Sequence, residues 1–174
     1  MFLLFRTIPR LALARFTGRM TLTDLVASGA LIAVVATAVV SGVFFAFSSF
    51  VMPALARQAS RDGIAAMQSI NITAVRPAFM SLLFGTAALT AGVGIAGFGD
   101  PRLVIGAALY LVGVIGVTIA AHVPRNNALA GVDRDAPQAE GAWRRFLTGW
   151  GRWNHVRWIA GAASSAAFLT AVAG

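Results

Sequence analysis

The sequence predicts an all-α fold: a four-transmembrane-helix bundle preceded by an N-terminal interfacial amphipathic segment. Two observations carry this. Of 174 residues 58% are hydrophobic and only 11% charged, whereas a soluble domain carries roughly 25% charged residues. The apolar residues also fall into four long uncharged runs, and in lipid a spanning segment must satisfy its own backbone hydrogen bonds, which makes each run a helix. There is no cysteine, so disulfides, thiolate metal sites and cysteine nucleophiles are excluded. The 14 basic residues are all arginine. In a membrane chain the net charge of +8 reads as arginines seated against anionic headgroups of the lipid bilayer, with no nucleic acid partner required.

Residues 1–20, MFLLFRTIPRLALARFTGRM, place Arg6, Arg10, Arg15 and Arg19 among Phe, Leu and Ala. The apolar stretches between them are too short to span, so an interfacial helix is expected. The arginines interrupt what would be the apolar region of a signal peptide. Met20 is an alternative start, because the bundle pattern of residues 21–174 begins at Thr21.

The first run, Leu25–Ala56, is uncharged for 32 residues, about 48 Å of helix against a hydrocarbon core of roughly 30 Å. A helix over about 25–53 is expected, with Pro53 at its end or at a kink. The second helix is expected over 77–99, the third over 103–122 between Asp100-Pro101-Arg102 and Pro124-Arg125, and the fourth over about 150–173. The fourth uncharged run, Trp158–Gly174, is short at 17 residues, but Arg157 can snorkel and Trp158 can sit in the headgroup belt. Gly85, Gly92, Gly94 and Gly97, then Gly106, Gly113 and Gly116, then Gly161 with AASSAA, let backbones approach closely and predict tight packing. The same small residues permit a homo-oligomer or a place in a larger membrane complex. No inverted repeat or broken-helix pair suggests a transporter.

Both large loops lie on one side, since an even number of spans separates them. With their helix mouths they hold nine arginines against five on the other side. The positive-inside tendency places them in the cytoplasm, as in a bacterial inner (plasma) membrane protein. The chemically informative residues gather on that side, in SIN of the first loop, HVPRNN, and GRWNHVRW, residues 151–158. On a helix Trp150, Asn154, Arg157 and Gly161 share one face by 4-3-4 spacing, with His155 about 100° round from Asn154. Trp143, Arg144 and Trp158 read as interfacial anchors. Asn154 is either interhelical glue or a ligand contact, and His155 and His122 can each be solvated near the headgroups. A copper, iron or haem site using His122 and His155 is an alternative, although no ligand spacing supports it. P-loop, GxGxxG and HExxH motifs are absent.

The ordered set SGVFFAFSSFVMPAL, AMQSIN with downstream RPAF, HVPRNNALA and WNHVR resembles the anthrone oxygenase-like family of small four-helix membrane proteins, over about residues 25–170. At the position of His122 that family often carries Asn or Thr. The resemblance implies oxidation of an anthrone methylene to a carbonyl with dioxygen and no added cofactor. It then suggests His155 as the base. Arg157, Asn154, Asn126 and Asn71 would stabilise the anion, and Trp150, Trp153 and Phe50 would stack on a flat apolar aromatic substrate. The alternatives are a metal- or haem-dependent oxidoreductase, and a non-enzymatic membrane protein that binds a lipid or quinone or serves as an accessory subunit.

Overall fold

The computed structural model describes residues 20–174, and every regular element within them is helical. In chain order these are α1 (Leu22–Ala56), α2 (Ser60–Ala74), α3 (Pro77–Ala96), α4 (Pro101–Ala130) and α5 (Ala139–Ala173). Apart from Met20, the expected N-terminal interfacial segment lies outside the described residues. α1, α3, α4 and α5 are each long and apolar enough to cross a membrane.

Local chemistry explains where the helices start. Thr21 and Asp24 form a capping box: Asp24 N–H donates to Thr21 Oγ1 at 3.2 Å and Thr21 N–H donates to Asp24 Oδ2 at 3.0 Å. Two otherwise unpaired donors are thereby satisfied. Pro77 and Pro101 open α3 and α4, where a missing N–H costs nothing. The Asp100 carboxylate accepts from Arg102 N–H at 2.9 Å. The Arg102 guanidinium beside Asp100 also holds this carboxyl below its usual range.

Three of the expected helix boundaries need correction. α1 does not stop at Pro53 but runs to Ala56, and α4 passes His122 and Pro124 to reach Ala130. In both places a wide π-turn precedes the proline. Phe47–Val51 is π-helical before Pro53, and Thr118–His122 before Pro124. A proline ring clashes with the carbonyl four residues back in a regular α-helix. Opening the turn moves that carbonyl aside, so that Met52 N–H bonds Phe47 O and Val123 N–H bonds Thr118 O. The third correction is at α5, which begins at Ala139, eleven residues before the expected start near 150. Smaller differences are that α1 and α4 begin at Leu22 and Pro101, and that α3 ends at Ala96.

Where the sequence suggests only a loop between the first two spans, the chain forms α2. It is an amphipathic helix lying across the end of the bundle, with Gly63, Ile64 and Met67 buried. Its spacing of Ile64, Met67, Ile70 and Asn71 is the signal that could have revealed it.

Small residues set the helix spacing. A Cβ on Gly94 would lie 2.7 Å from Ala107 Cβ, one on Gly29 would lie 2.9 Å from Val93 Cγ2, and one on Gly113 would collide with Ala160. Hydroxyl groups bridge the helices to carbonyls. Ser41 Oγ donates to Trp158 O (2.7 Å), Ser164 Oγ to Gly106 O (2.7 Å), Ser165 Oγ to Val34 O (3.0 Å) and Tyr110 OH to Leu83 O (3.1 Å). Such bonds between membrane helices average about 0.6 kcal/mol each. Close packing therefore does most of the holding, and the serines add specificity.

Three buried clusters stack along the bundle. One around Ala33, Val93 and Phe168 lies near the α3–α4 turn, and one around Phe44, Tyr110 and Val114 is central. The third, around Met67, Trp143 and Trp150, joins α2 to α4 and α5. Between the second and third the packing is incomplete, and there the candidate site lies.

Candidate functional site

A cavity of about 480 Å³ opens between α1, α2, α3, α4 and α5, within the range typical of small-molecule sites. Its walls are mainly apolar. Phe44 and Phe47 come from α1, Met67 and Ile70 from α2, Phe79 and Leu83 from α3, and Ile119 from α4. Its few polar side chains include Asn71, Thr118, His122, Asn126 and Arg157.

Arg157 dominates the electrostatics. It is 6% exposed and its Nη2 donates to Asn154 Oδ1 at 2.6 Å, its Nη1 to Thr118 Oγ1 at 3.3 Å. Its Cζ lies 3.9 Å from the Phe44 ring centroid and 5.4 Å from that of Trp150. Nε has no partner. Every contact is neutral, and among the described residues no carboxylate pairs with it. Arginine remains protonated in proteins, so a full positive charge faces the cavity. Cation–π contacts reach about 2 kcal/mol when desolvated and hydrogen bonds to a charged group are worth roughly 1.5–3 kcal/mol each. Neither cancels the charge itself.

His122 is 1% exposed and neither ring nitrogen has a hydrogen-bond partner. Its ring stands edge-on to Trp150, with centroids 4.8 Å apart and planes at 86°. Trp150 is held in turn, because its Nε1 donates to Asn126 Oδ1 at 3.1 Å. Asn71 Nδ2 is buried, lines the cavity and is unpartnered. The cavity thus brings together a fixed cation, an unpartnered imidazole and an unpartnered amide donor.

The sequence-predicted site residues divide into three groups. Arg157, Asn126, Asn71 and Trp150 line the cavity. Asn154 is fully buried beneath it, and its Nδ2 is already spent on Phe44 O and Ser48 Oγ, both at 2.7 Å. It positions Arg157 and has no free donor to offer a ligand. Phe50, Trp153 and His155 stand away from the cavity. Phe50 is 63% and Trp153 40% exposed. His155 is also exposed, with Nδ1 accepting from Trp158 Nε1 at 3.2 Å. The reason is helical geometry. His155 is two residues from Arg157, hence about 160° round the helix, and faces outward while Arg157 faces in.

Of the two histidines, His122 lines the cavity and His155 does not. The two histidines of the copper, iron or haem alternative differ in setting, His122 being buried and His155 exposed. Sequence reasoning passed over Thr118, Phe44 and Ser48, whose types alone signal nothing. Their roles come from facing Arg157 and Asn154 across helix interfaces.

A broader depression of about 640 Å³ lies where α2 and α5 begin, lined by Arg61, Arg134, Glu140 and Arg144. Its charges are exposed and largely paired, Arg61 with Asp135 at 3.1 Å and Arg144 with Glu140. Such exposed pairs are screened by water and contribute little.

No curated protein and no solved structure matches this chain. A family model described as anthrone oxygenase matches residues 67–167, which include His122, Asn126, Trp150, Asn154 and Arg157. That is more than half of the sequence, and the chain belongs to the anthrone oxygenase family.

Proposed function

We propose that this protein is a membrane oxygenase that converts the activated methylene of a flat, apolar hydroxyaromatic, of anthrone type, to a carbonyl with dioxygen. The observation that carries the reading is Arg157, an uncompensated cation at the wall of an apolar cavity, beside the unpartnered imidazole of His122. An ionisable residue at membrane depth is costly and marks function. A cation without a counter-ion fits a ligand on which negative charge develops.

The chemistry follows from the residues. Phe44, Phe79 and Trp150 offer ring faces and edges to a planar substrate. The methylene is weakly acidic because its carbanion delocalises onto the ring-carbonyl oxygen. His122 accepts the methylene proton. Arg157 and Asn71 donate hydrogen bonds to the oxygens that become negative, in a site where few other dipoles compete. The electron-rich carbanion then reduces dioxygen. One oxygen atom becomes the new carbonyl, and the other leaves as water with the two methylene hydrogens. We place the α2 side of the bundle in the cytoplasm of a bacterial plasma membrane, on the arginine bias of that side.

The test is quinone formation from an anthrone by purified protein, scored above spontaneous air oxidation. Rates in wild type that equal those of Arg157→Met and His122→Asn would sink the proposal.

A further inference from the structure

We infer that the substrate reaches the cavity sideways from the bilayer, through a gap between α3 and α4, as a membrane-dissolved neutral hydroxyaromatic. This rests on the oxidation site proposed above and adds its route of supply. Most cavity-lining residues are buried or half-buried; the exposed ones are Ser69, Thr73 and Val75 at the rim of α2, and, deeper along the spans, Phe84 on α3 at 51% with Ile119 and Val123 on α4 at 60% and 45%. These side chains touch both the cavity and the outside. Phe84 and Ile119 lie inside the uncharged runs of the two spans, so the mouth they frame stands at hydrocarbon depth.

The helices explain the opening. Towards the α3–α4 turn they are clamped, with Gly94 against Ala107 and Tyr110 OH donating to Leu83 O. Beyond Leu83 the facing positions, Phe79 and Met80 on α3 and Thr118 and His122 on α4, line the cavity instead. From the loop side α2 roofs the space and is pinned down. Gln68 Nε2 donates to Leu129 O and Val132 O, both at 3.0 Å, and Gly63 lies flat against the Trp143 ring.

A mouth at that depth selects by charge. An anion pays a large desolvation cost in hydrocarbon, whereas a neutral aromatic partitions into it readily. The ligand therefore arrives neutral, and negative charge appears only beside Arg157, when the methylene proton moves to His122. A membrane-dissolved supply also places upstream the class of reaction that releases a neutral, fused aromatic ring system into the bilayer.

The absence of cysteine makes the test direct. Single-cysteine variants Phe84→Cys, Ile119→Cys, Thr73→Cys and Ile95→Cys are reconstituted in lipid nanodiscs, each with and without a bulky maleimide label. The probe is 1,8-dihydroxyanthraquinone, and its association is followed by its visible absorbance. Ile95 is 77% exposed and away from the cavity, and Thr73 sits on the α2 rim. Labelling at 84 or 119 is expected to slow association at least about tenfold, as steric closure of a narrow path does, while the label at 95 changes nothing. Equal rates at 84, 119 and 95 overturn the inference, as does slowing at 73 with none at 84 or 119. Dye binding gated at 84 and 119 without anthrone oxidation would sink the proposed reaction and leave the route standing. Oxidation and binding untouched by those labels would do the reverse. An unlabelled chain that takes up no dye overturns the route, and anthrone oxidation by the same preparation decides the reaction separately.

Discussion

Arg157 Nη2 donates to Asn154 Oδ1 at 2.6 Å, one helical turn away on the buried face of α5. The Asn154 amide is fixed in orientation, because its nitrogen must donate to the Phe44 carbonyl and so its oxygen must face Arg157. α1 therefore holds Asn154, Asn154 holds Arg157, and Arg157 is aimed into the cavity with its charge intact.

Arg157→Met separates a structural from a chemical role. Methionine fills much of the same volume without burying a charge, and replacing buried ionic groups by apolar ones is often neutral for stability. The main loss is a partner for Asn154 Oδ1, about 1–3 kcal/mol, with the longer bond to Thr118 and the contact with the Phe44 ring lost beside it. Thermal unfolding in detergent is expected to shift by only a few degrees. Quinone formation is expected to fall by about 10²–10³-fold, the usual consequence of removing one donor to a developing oxyanion. A melting point that collapses with a rate per folded molecule that survives would assign Arg157 to packing.

The two histidines make opposite predictions. His122→Asn keeps a polar group against Trp150 but removes a base, and should lower the rate by about 10²–10⁴-fold at neutral pH. An unchanged rate would mean that the methylene proton goes elsewhere. His155→Asn should leave the rate within about twofold, because the side chain is exposed and bonded only to Trp158. A shared metal would instead make the two variants fail alike, so parallel steady-state assays separate the readings.

How far the site was legible depended on what kind of spacing carried it. The 4-3-4 pattern of Trp150, Asn154, Arg157 and Gly161 needs only a regular α-helix, and all four are buried. The four spans follow from uncharged length. His122 was harder to read, because Pro124 looks like a terminator. The π-turn at 118–122 carries the helix eight residues further, so His122 lies within it and not at a mouth. The cavity itself was not legible, since it depends on α3 and α4 parting below Leu83 and on α2 roofing the gap. Such relations lie between helices, where no single segment's periodicity records them.

Two glycines test the packing argument. A Cβ on Gly113 collides with Ala160, while one on Gly85 meets nothing within 4 Å. Gly113→Ala is expected to destabilise the bundle by about 1–3 kcal/mol through overpacking. Gly85→Ala should be neutral or gain up to about 1 kcal/mol from helix propensity. Thermal or denaturant unfolding of both variants in one detergent checks the sign, and equal effects would show that the α4–α5 contact is looser than the close approach of these backbones indicates.

One side chain supplies the hydrogen-bonded part of the hold on α2. Gln68 Nε2 satisfies both Leu129 O and Val132 O, at the end of α4 and just beyond it. Gln68→Ala removes two bonds worth roughly 1 kcal/mol each, and the freed carbonyls can turn to water near the interface, so the spans should stay folded. The loss should appear locally. Amide hydrogen exchange over residues 64–74 is expected to quicken by about tenfold, while the buried parts of α4 and α5 keep their protection. Because Met67, Ile70 and Asn71 of α2 line the cavity, a loosened α2 should raise KM for the anthrone severalfold with kcat less affected, since Arg157 and His122 sit on other helices. Faster exchange with an unchanged KM would show that α2 is a cover only, and that the cavity's binding surface lies wholly on the four spanning helices.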